Sequence, residues 1–394
     1  MSDRGKDIAG VALLEPLHRL EQFIVRNGYR GYDPYDALES PVFKFPILRS
    51  NRRIRWAAQQ VFKRIPINLR PFFRIPHGCN PVTLGLCLDA YTVLVDMEPD
   101  RRSWYEQEMV VLLERLDAMQ SRPFHGSCWG YDFDWESRHA RFPAATPTVV
   151  ATGIISNALF AFHRKTGNAR AGELCVSAAE FVVKDLRRHE EGGGFCFSYS
   201  PYDTNHVVNA TMKGARILAQ AYSLTGEKEY KDLACQTVRF VARHQQSNGS
   251  WAYAVGDGRS WADNFHTGYI LDCLQDYGSL TGDWDFEGYR KKGLEYFVEH
   301  FIDPDGAPRY YDTTRYPIDS TAAAQCILTL LRNGLDDRAM AVAQFMTSHM
   351  QDKTGYFYYQ MSPRFTNRIP YMRWSNAWML TALAHLAERC NVLA

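Results

Sequence analysis

Apolar residues in this chain return at helical spacing in paired runs. VVATGIISNALFAF precedes AGELCVSAAEFVVKDL, VVNATMKGARILAQAY precedes KDLACQTVRFVARHQ, and NFHTGYILDCLQDY precedes YRKKGLEYFVEHFI. A Thr-Gly turn separates the members of each pair. Its glycines are Gly167, Gly226 and Gly282, 59 and then 56 residues apart. Glycine at that place stops one helix, and the Asn, Glu or Asp just beyond favours the start of the next. A recurrence of this length is the mark of a helix-pair repeat.

Gly-aromatic segments link each pair to the next: GSCWGYDF, GGGFCFSY, NGSWAYAV, DGAPRYYD and TGYFYYQM. They read as loops or short strand-like pieces. Weaker pairs extend the series in both directions, through NPVTLGLCLDAYTVLV upstream and IDSTAAAQCILTLL and WSNAWMLTALAHLAE downstream. About six inner helices result, which predicts an all-α (α/α)6 toroid in one domain over residues 1–394. An open solenoid competes. The chain stops after the sixth inner helix, so EPLHRLEQFIVRN near the start is left to supply its outer partner, and that favours the ring.

Composition narrows the class. Of 394 residues, 46% are hydrophobic and 23% charged, with a formal net charge of +1, which argues against a nucleic-acid partner. The start of the chain has no basic segment leading into an uninterrupted apolar run, so neither a signal peptide nor a membrane span is expected. The 9 cysteines are scattered without a C-x-x-C pair, which predicts no disulfide framework, no metal and no cofactor in a cytoplasmic protein. Aromatic residues make up 13%, a share that suits either a cleft stacking rings on sugar faces or a core of large side chains.

In a ring of this kind the N-termini of the inner helices gather at one mouth, where free backbone N–H groups and helix dipoles favour an anionic ligand. Asn205, His206 and Asn209 fall there, as do Asp263, Asn264, His266, Asp319, Arg373, Trp374 and Asn376. The aromatic loops add Trp129, Tyr131, Asp132, Asp134, Trp135, Trp251, Tyr253, Tyr310 and Tyr311. Helix capping is the plain alternative for Asn205, Asn264 and Asp319. Glycoside hydrolysis needs two carboxylates, and Asp132, Asp134, Asp263 and Asp319 are available. Asp132 and Asp134 share one side of the segment if it is extended. Proton abstraction beside a uronate carboxylate, for β-elimination or C5 epimerisation, needs a base and groups that neutralise the carboxylate. His206 and His266 in matching loops, with Asn205, Asn264, Arg373 and Tyr253, favour this second chemistry.

No acidic residue occurs from Ser40 to Leu88, whereas nine Lys and Arg do, among them Arg49, Arg52, Arg53, Arg55, Lys63 and Arg70. This basic stretch, at about 40–75, reads either as a solvated basic helix or as a peripheral contact with anionic membrane lipid or an acidic partner.

GYDPYDALES and WADNFHTGYILDCL, taken with the Gly-aromatic loops, resemble bacterial exopolysaccharide-biosynthesis proteins of the VpsJ type, from Gly31 to about Leu386. That resemblance implies the six-hairpin toroid superfamily. It also implies a partner that is an acidic polysaccharide or lipid-linked oligosaccharide, processed by a lyase, an epimerase or a hydrolase. A non-catalytic glycan-binding scaffold is the alternative. QQSNGSW and QDKTGYF look like the Q-x-x-x-G-x-W repeat of triterpene cyclases, a pattern that staples helix ends through Gln and Trp. The acidic cyclase motif is missing, since Trp135 stands where its last Asp belongs. A terpene-handling relative would have an apolar cavity.

Overall fold

The computed structural model describes residues 3–137 and 141–390, with the side chains of the first helix described from Leu13 onward. After α1 (Asp3–Arg26) come two short helices, α2 (Pro46–Ser50) and α3 (Arg52–Arg64). Five helix pairs follow: α4 (Pro81–Met97) with α5 (Arg102–Ala118), α6 (Val149–Thr166) with α7 (Ala169–Asp185), α8 (Val208–Thr225) with α9 (Lys228–Arg243), α10 (Asn264–Thr281) with α11 (Glu287–His300), and α12 (Ser320–Arg332) with α13 (Asp336–His349). The last helix is α14 (Trp378–Arg389), entered through a wide π-type turn over Met372–Ala377.

The even-numbered helices from α4 to α14 pack side by side, and α14 returns to α4. The Thr381 hydroxyl of α14 donates to the Leu86 carbonyl of α4 across that seam. The odd-numbered helices from α5 to α13 form the outer layer, and α1 packs behind α14 as the sixth outer helix. The chain therefore closes into the (α/α)6 toroid, and the open solenoid is excluded.

The reasons are local. The three Thr-Gly turns end α6, α8 and α10, with Gly167, Gly226 and Gly282 at φ of 72°, 74° and 71°, a left-handed conformation that favours glycine. Inner helices lie between the axis and the outer layer, so α4 and α8 are buried almost all round. Outer helices such as α9 bury one face only. The Gly-aromatic linkers hold three small antiparallel sheets: β1 (Trp135–Glu136) with β2 (Arg141–Phe142), β3 (Arg188–Glu191) with β4 (Gly194–Phe197), and β5 (Ile318–Asp319) with β6 (Gln360–Met361) and β7 (Thr366–Asn367).

Asn80, Thr148, Asp263 and Asp319 cap α4, α6, α10 and α12, each accepting from backbone N–H groups of its own first turn. No described helix is long and apolar enough to cross a membrane.

Candidate functional site

The N-terminal ends of α6, α8 and α10 border a cavity of about 120 Å³. Val150 of α6, Asn209 of α8, and Phe265, His266 and Tyr269 of α10 form its floor, and Arg373 and Trp374 enter from the turn before α14. The linkers add Tyr35, Tyr131, Phe133, Trp135, Tyr199, Tyr253 and Tyr310. Burial holds the phenols of Tyr199, Tyr253, Tyr269 and Tyr310 above the usual tyrosine range, so each carries its proton at neutral pH.

His266 is the histidine of this wall. Asp263 caps α10 by accepting from the His266 backbone N–H at 2.9 Å, and the same carboxylate lies 2.7 Å from the ring Nδ1. A carboxylate accepts there, so in the neutral ring Nδ1 carries the proton and Nε2 keeps the lone pair. Three-residue spacing on the first helical turn produces this dyad. The Tyr253 ring meets the His266 ring edge-on, centroids 4.7 Å apart, and is stacked at 5.0 Å on Trp261.

Arg373 is the cation of the wall. Asp33 holds its guanidinium through Nε at 2.7 Å and Nη2 at 2.9 Å, leaving Nη1 outside the pair. Burial opposes the charge, yet Asp33 keeps the arginine pKa above its ordinary value. The guanidinium lies 4.7 Å from the Tyr131 ring centroid and 5.0 Å from that of Trp374. Two buried polar atoms of the wall, Asn209 Nδ2 and the Tyr269 hydroxyl, have no hydrogen-bond partner. Such groups are costly to bury unless something binds them. Beneath Tyr269, the buried Lys213 amine sits 3.3 Å from the ring centroid, and burial pushes its pKa well below the usual lysine range.

Asp132 belongs to a smaller neighbouring cavity that shares Phe133 and Arg373 with the mouth and also contains Asp33, Asp36, Glu39 and Asn80. Burial, reinforced by Asp33, pushes its carboxyl up to about 6. Asn80 donates to it at 2.7 Å. Asp134 instead accepts from Arg55 at 2.7 Å and from the Ala144 N–H. The two aspartates have separate partners and do not form the expected carboxylate pair.

Several other expectations are corrected. Trp129 and Trp251 are 0% and 2% exposed and are not sugar platforms. Their indole N–H groups donate to Leu116 O and Val241 O, which fastens linker to outer helix. Gln245 and Gln351 complete the stapling expected of the Q-x-x-x-G-x-W pattern, donating to Gly249 O and Gly355 O and to neighbouring backbone. His206 and His266 are not repeat-equivalent: His206 precedes the Val207 N-cap of α8, whereas His266 follows the Asp263 N-cap of α10 by three residues. His206 is outside the cavity wall and stacks on His189 at 4.0 Å. Asn205 accepts from Arg259, whose guanidinium lies over Tyr253, so it supports the rim from behind. Asn264 is buried and donates to Arg309 O. Neither asparagine caps a helix.

Asp319 does cap α12, and behind the wall it accepts from Gln360 and the Trp374 indole. Burial pushes its carboxyl up. Tyr311 flanks the wall through Tyr310, with ring centroids 4.7 Å apart. Asn376 is buried and ties Phe357 N to Tyr371 O.

Tyr35, Tyr199 and Tyr269 in the wall, and Asp33 behind Arg373, are not foreseen. Tyr269 was within reach, standing three residues after His266 on the same helical face. Six tyrosines, a histidine, an asparagine and an arginine line the mouth, so polar groups stand among its aromatic faces. Among the described residues no cluster of His, Cys, Asp or Glu has the geometry to hold a metal ion.

No protein-family model matches the chain, and no curated protein sequence matches it. Solved structures do. A cellobiose 2-epimerase from Bacillus thermoamylovorans is 11% identical, with 80% of this chain and 90% of that chain covered at a TM-score of 0.62. A family 88 glycosyl hydrolase from Bacteroides vulgatus is 10% identical over 98% of this chain and 99% of that chain, at 0.58. A family 76 α-mannanase from Bacteroides thetaiotaomicron is 12% identical over 79% and 85%, at 0.59. At these identities the likeness is one of fold, the six-hairpin toroid.

Proposed function

We propose that this chain is a carbohydrate-active enzyme of exopolysaccharide biosynthesis, of the VpsJ type, that moves a proton at C5 of a uronate residue bound in the mouth. The observation that carries this reading is the His266–Asp263 dyad, which offers Nε2 as a base in a cavity lined by no carboxylate. His266 removes the C5 proton, and Asp263 stabilises the imidazolium that forms. The free face of Arg373 neutralises the uronate carboxylate as charge moves onto it. Asn209 Nδ2 and the Tyr269 hydroxyl donate to the sugar, and Trp135 and Trp374 give it stacking faces. A protonated tyrosine, Tyr253 beside His266, returns a proton in epimerisation or assists the O4 leaving group in elimination.

Glycoside hydrolysis is the second reading, favoured by Asp132. A buried carboxyl at about 6 suits a general acid, and its cavity adjoins the mouth. Incubation with acidic polysaccharides or lipid-linked oligosaccharides separates these chemistries. Ultraviolet absorbance of an unsaturated uronate marks elimination, solvent deuterium at C5 without cleavage marks epimerisation, and reducing ends without the absorbance mark hydrolysis. Glycan binding without turnover, unchanged by His266→Ala, would make the protein a scaffold and overturn the catalytic reading.

A further inference from the structure

The basic stretch after α1 is engaged on one side and bare on the other. Towards the ring, Arg55 donates to Glu136 at 3.1 Å and to Asp134, Arg52 donates to Glu136 at 3.2 Å, and Arg70 donates to Asp36 at 2.7 Å. These arginines are structural, which corrects the picture of a uniformly solvated basic helix. Buried Arg55, Gln59 and Phe62 mark the inward face of α3. On its outward face Ile54, Ala57 and Val61 are exposed, between Arg53 and Arg64.

Among the described residues, seven of the fifteen exposed large hydrophobic side chains fall between positions 42 and 72. Phe45 is 66% exposed and Ile47 80%, at the start of α2, and Phe72 is 82% exposed at a turn tip. Among the described residues Arg49, Arg53 and Arg74 make no ion pair, and no acidic residue occurs from position 40 to 88.

We propose that this face docks the protein on an anionic lipid bilayer. Apolar tips on separate short elements, ringed by unpaired guanidinium groups, suit a fluid surface that accepts protrusions without a matching shape. Fixed negative headgroups complement the missing carboxylates.

The same helix is tied to the mouth. Gln59 donates to Tyr35 O at 2.8 Å and accepts from Glu136 N at 2.8 Å, and Lys63 donates to the Tyr35 hydroxyl. Tyr35 and Trp135 line the cavity, so docking holds the mouth beside the membrane surface, in reach of a glycan on a lipid carrier. The docking itself is independent of the chemistry in the mouth.

Sedimentation with vesicles tests this on the full chain. Phosphatidylcholine vesicles are compared with vesicles of phosphatidylcholine and phosphatidylglycerol in equal parts. The expected result is recovery with the anionic vesicles, falling as salt is raised. R49E/R53E lowers the affinity about fivefold or more for each residue changed. F45S/I47S/F72S abolishes binding while its circular dichroism and melting match the parent. Equal recovery with both vesicle types, or a triple variant that binds like the parent, overturns the proposal. So does a dimer in light scattering that the triple variant dissolves while vesicles stay unbound, since the occupant is then a second copy.

Discussion

Asp33 and Arg373 clasp one another through two hydrogen bonds of 2.7 and 2.9 Å, although 340 residues separate them. The pair joins the segment after the first helix to the turn before the last, and sets the only described cation lining the mouth cavity against its wall. Asp33→Ala leaves a buried guanidinium unpaired and is expected to cost about 3–5 kcal/mol. Adding Arg373→Met should restore much of that loss in urea denaturation while abolishing uronate binding. A double variant that still binds uronate would remove Arg373 from the site.

Asp263 has two roles that substitution can separate. Asparagine caps a helix as well as aspartate does, so Asp263→Asn should melt within a few degrees of the parent. It can no longer act as the anion facing Nδ1, and turnover should fall about 10²–10⁴-fold. Asp263→Ala loses the cap as well and should be about 1 kcal/mol less stable. Equal kcat in the parent and Asp263→Asn would show that the dyad is structural only.

Tryptophans divide by place. Trp251→Ala removes a core staple and is expected to cost about 3–5 kcal/mol, with KM unchanged in whatever stays folded. Trp374→Ala and Trp135→Ala remove stacking faces and should raise KM or Kd about tenfold. Denaturation curves paired with glycan titrations check this, and a Trp251 variant of normal stability would contradict its assignment.

Asp132 gives a pH signature. Its folded pKa of about 6 lies above the ordinary 3.8, so in that interval the folded chain holds a proton that the unfolded chain has lost. Stability from this group is therefore fully present below the unfolded value and is lost as pH rises through about 6. Asp132→Asn removes the dependence while its amide oxygen still accepts from Asn80. The parent should lose melting temperature relative to this variant between about pH 4 and 7. A gap that stays constant with pH would contradict the assignment.

The toroid was legible because its signals are local: glycine stops after Thr166, Thr225 and Thr281, and a sixth inner helix needing a partner. His266 was nominated through a match with His206 that the fold does not keep, and its tie to Asp263 was not foreseen. What escaped depends on contacts between distant segments. Trp251 has the neighbours of a sugar platform, and only the position of Val241 reveals it as a staple. The pairing of Arg55 with Glu136, 81 residues away, left no trace in the local charge pattern. Tyr35 lines the mouth from a segment that Gln59 and Lys63 of α3 hold in place.

Closure of the ring by the Thr381–Leu86 contact, 295 residues apart, also bears on how the protein is made. Synthesis proceeds from the N-terminus, so until α14 has emerged the seam cannot close and the faces of α4 and α12 that it packs on have no cover from it. The mouth has no Arg373 or Trp374 in that state, so the nascent chain cannot carry out the proposed reaction. The seam closes only after the whole ring has been made, and bringing segments so far apart together costs loop-closure entropy.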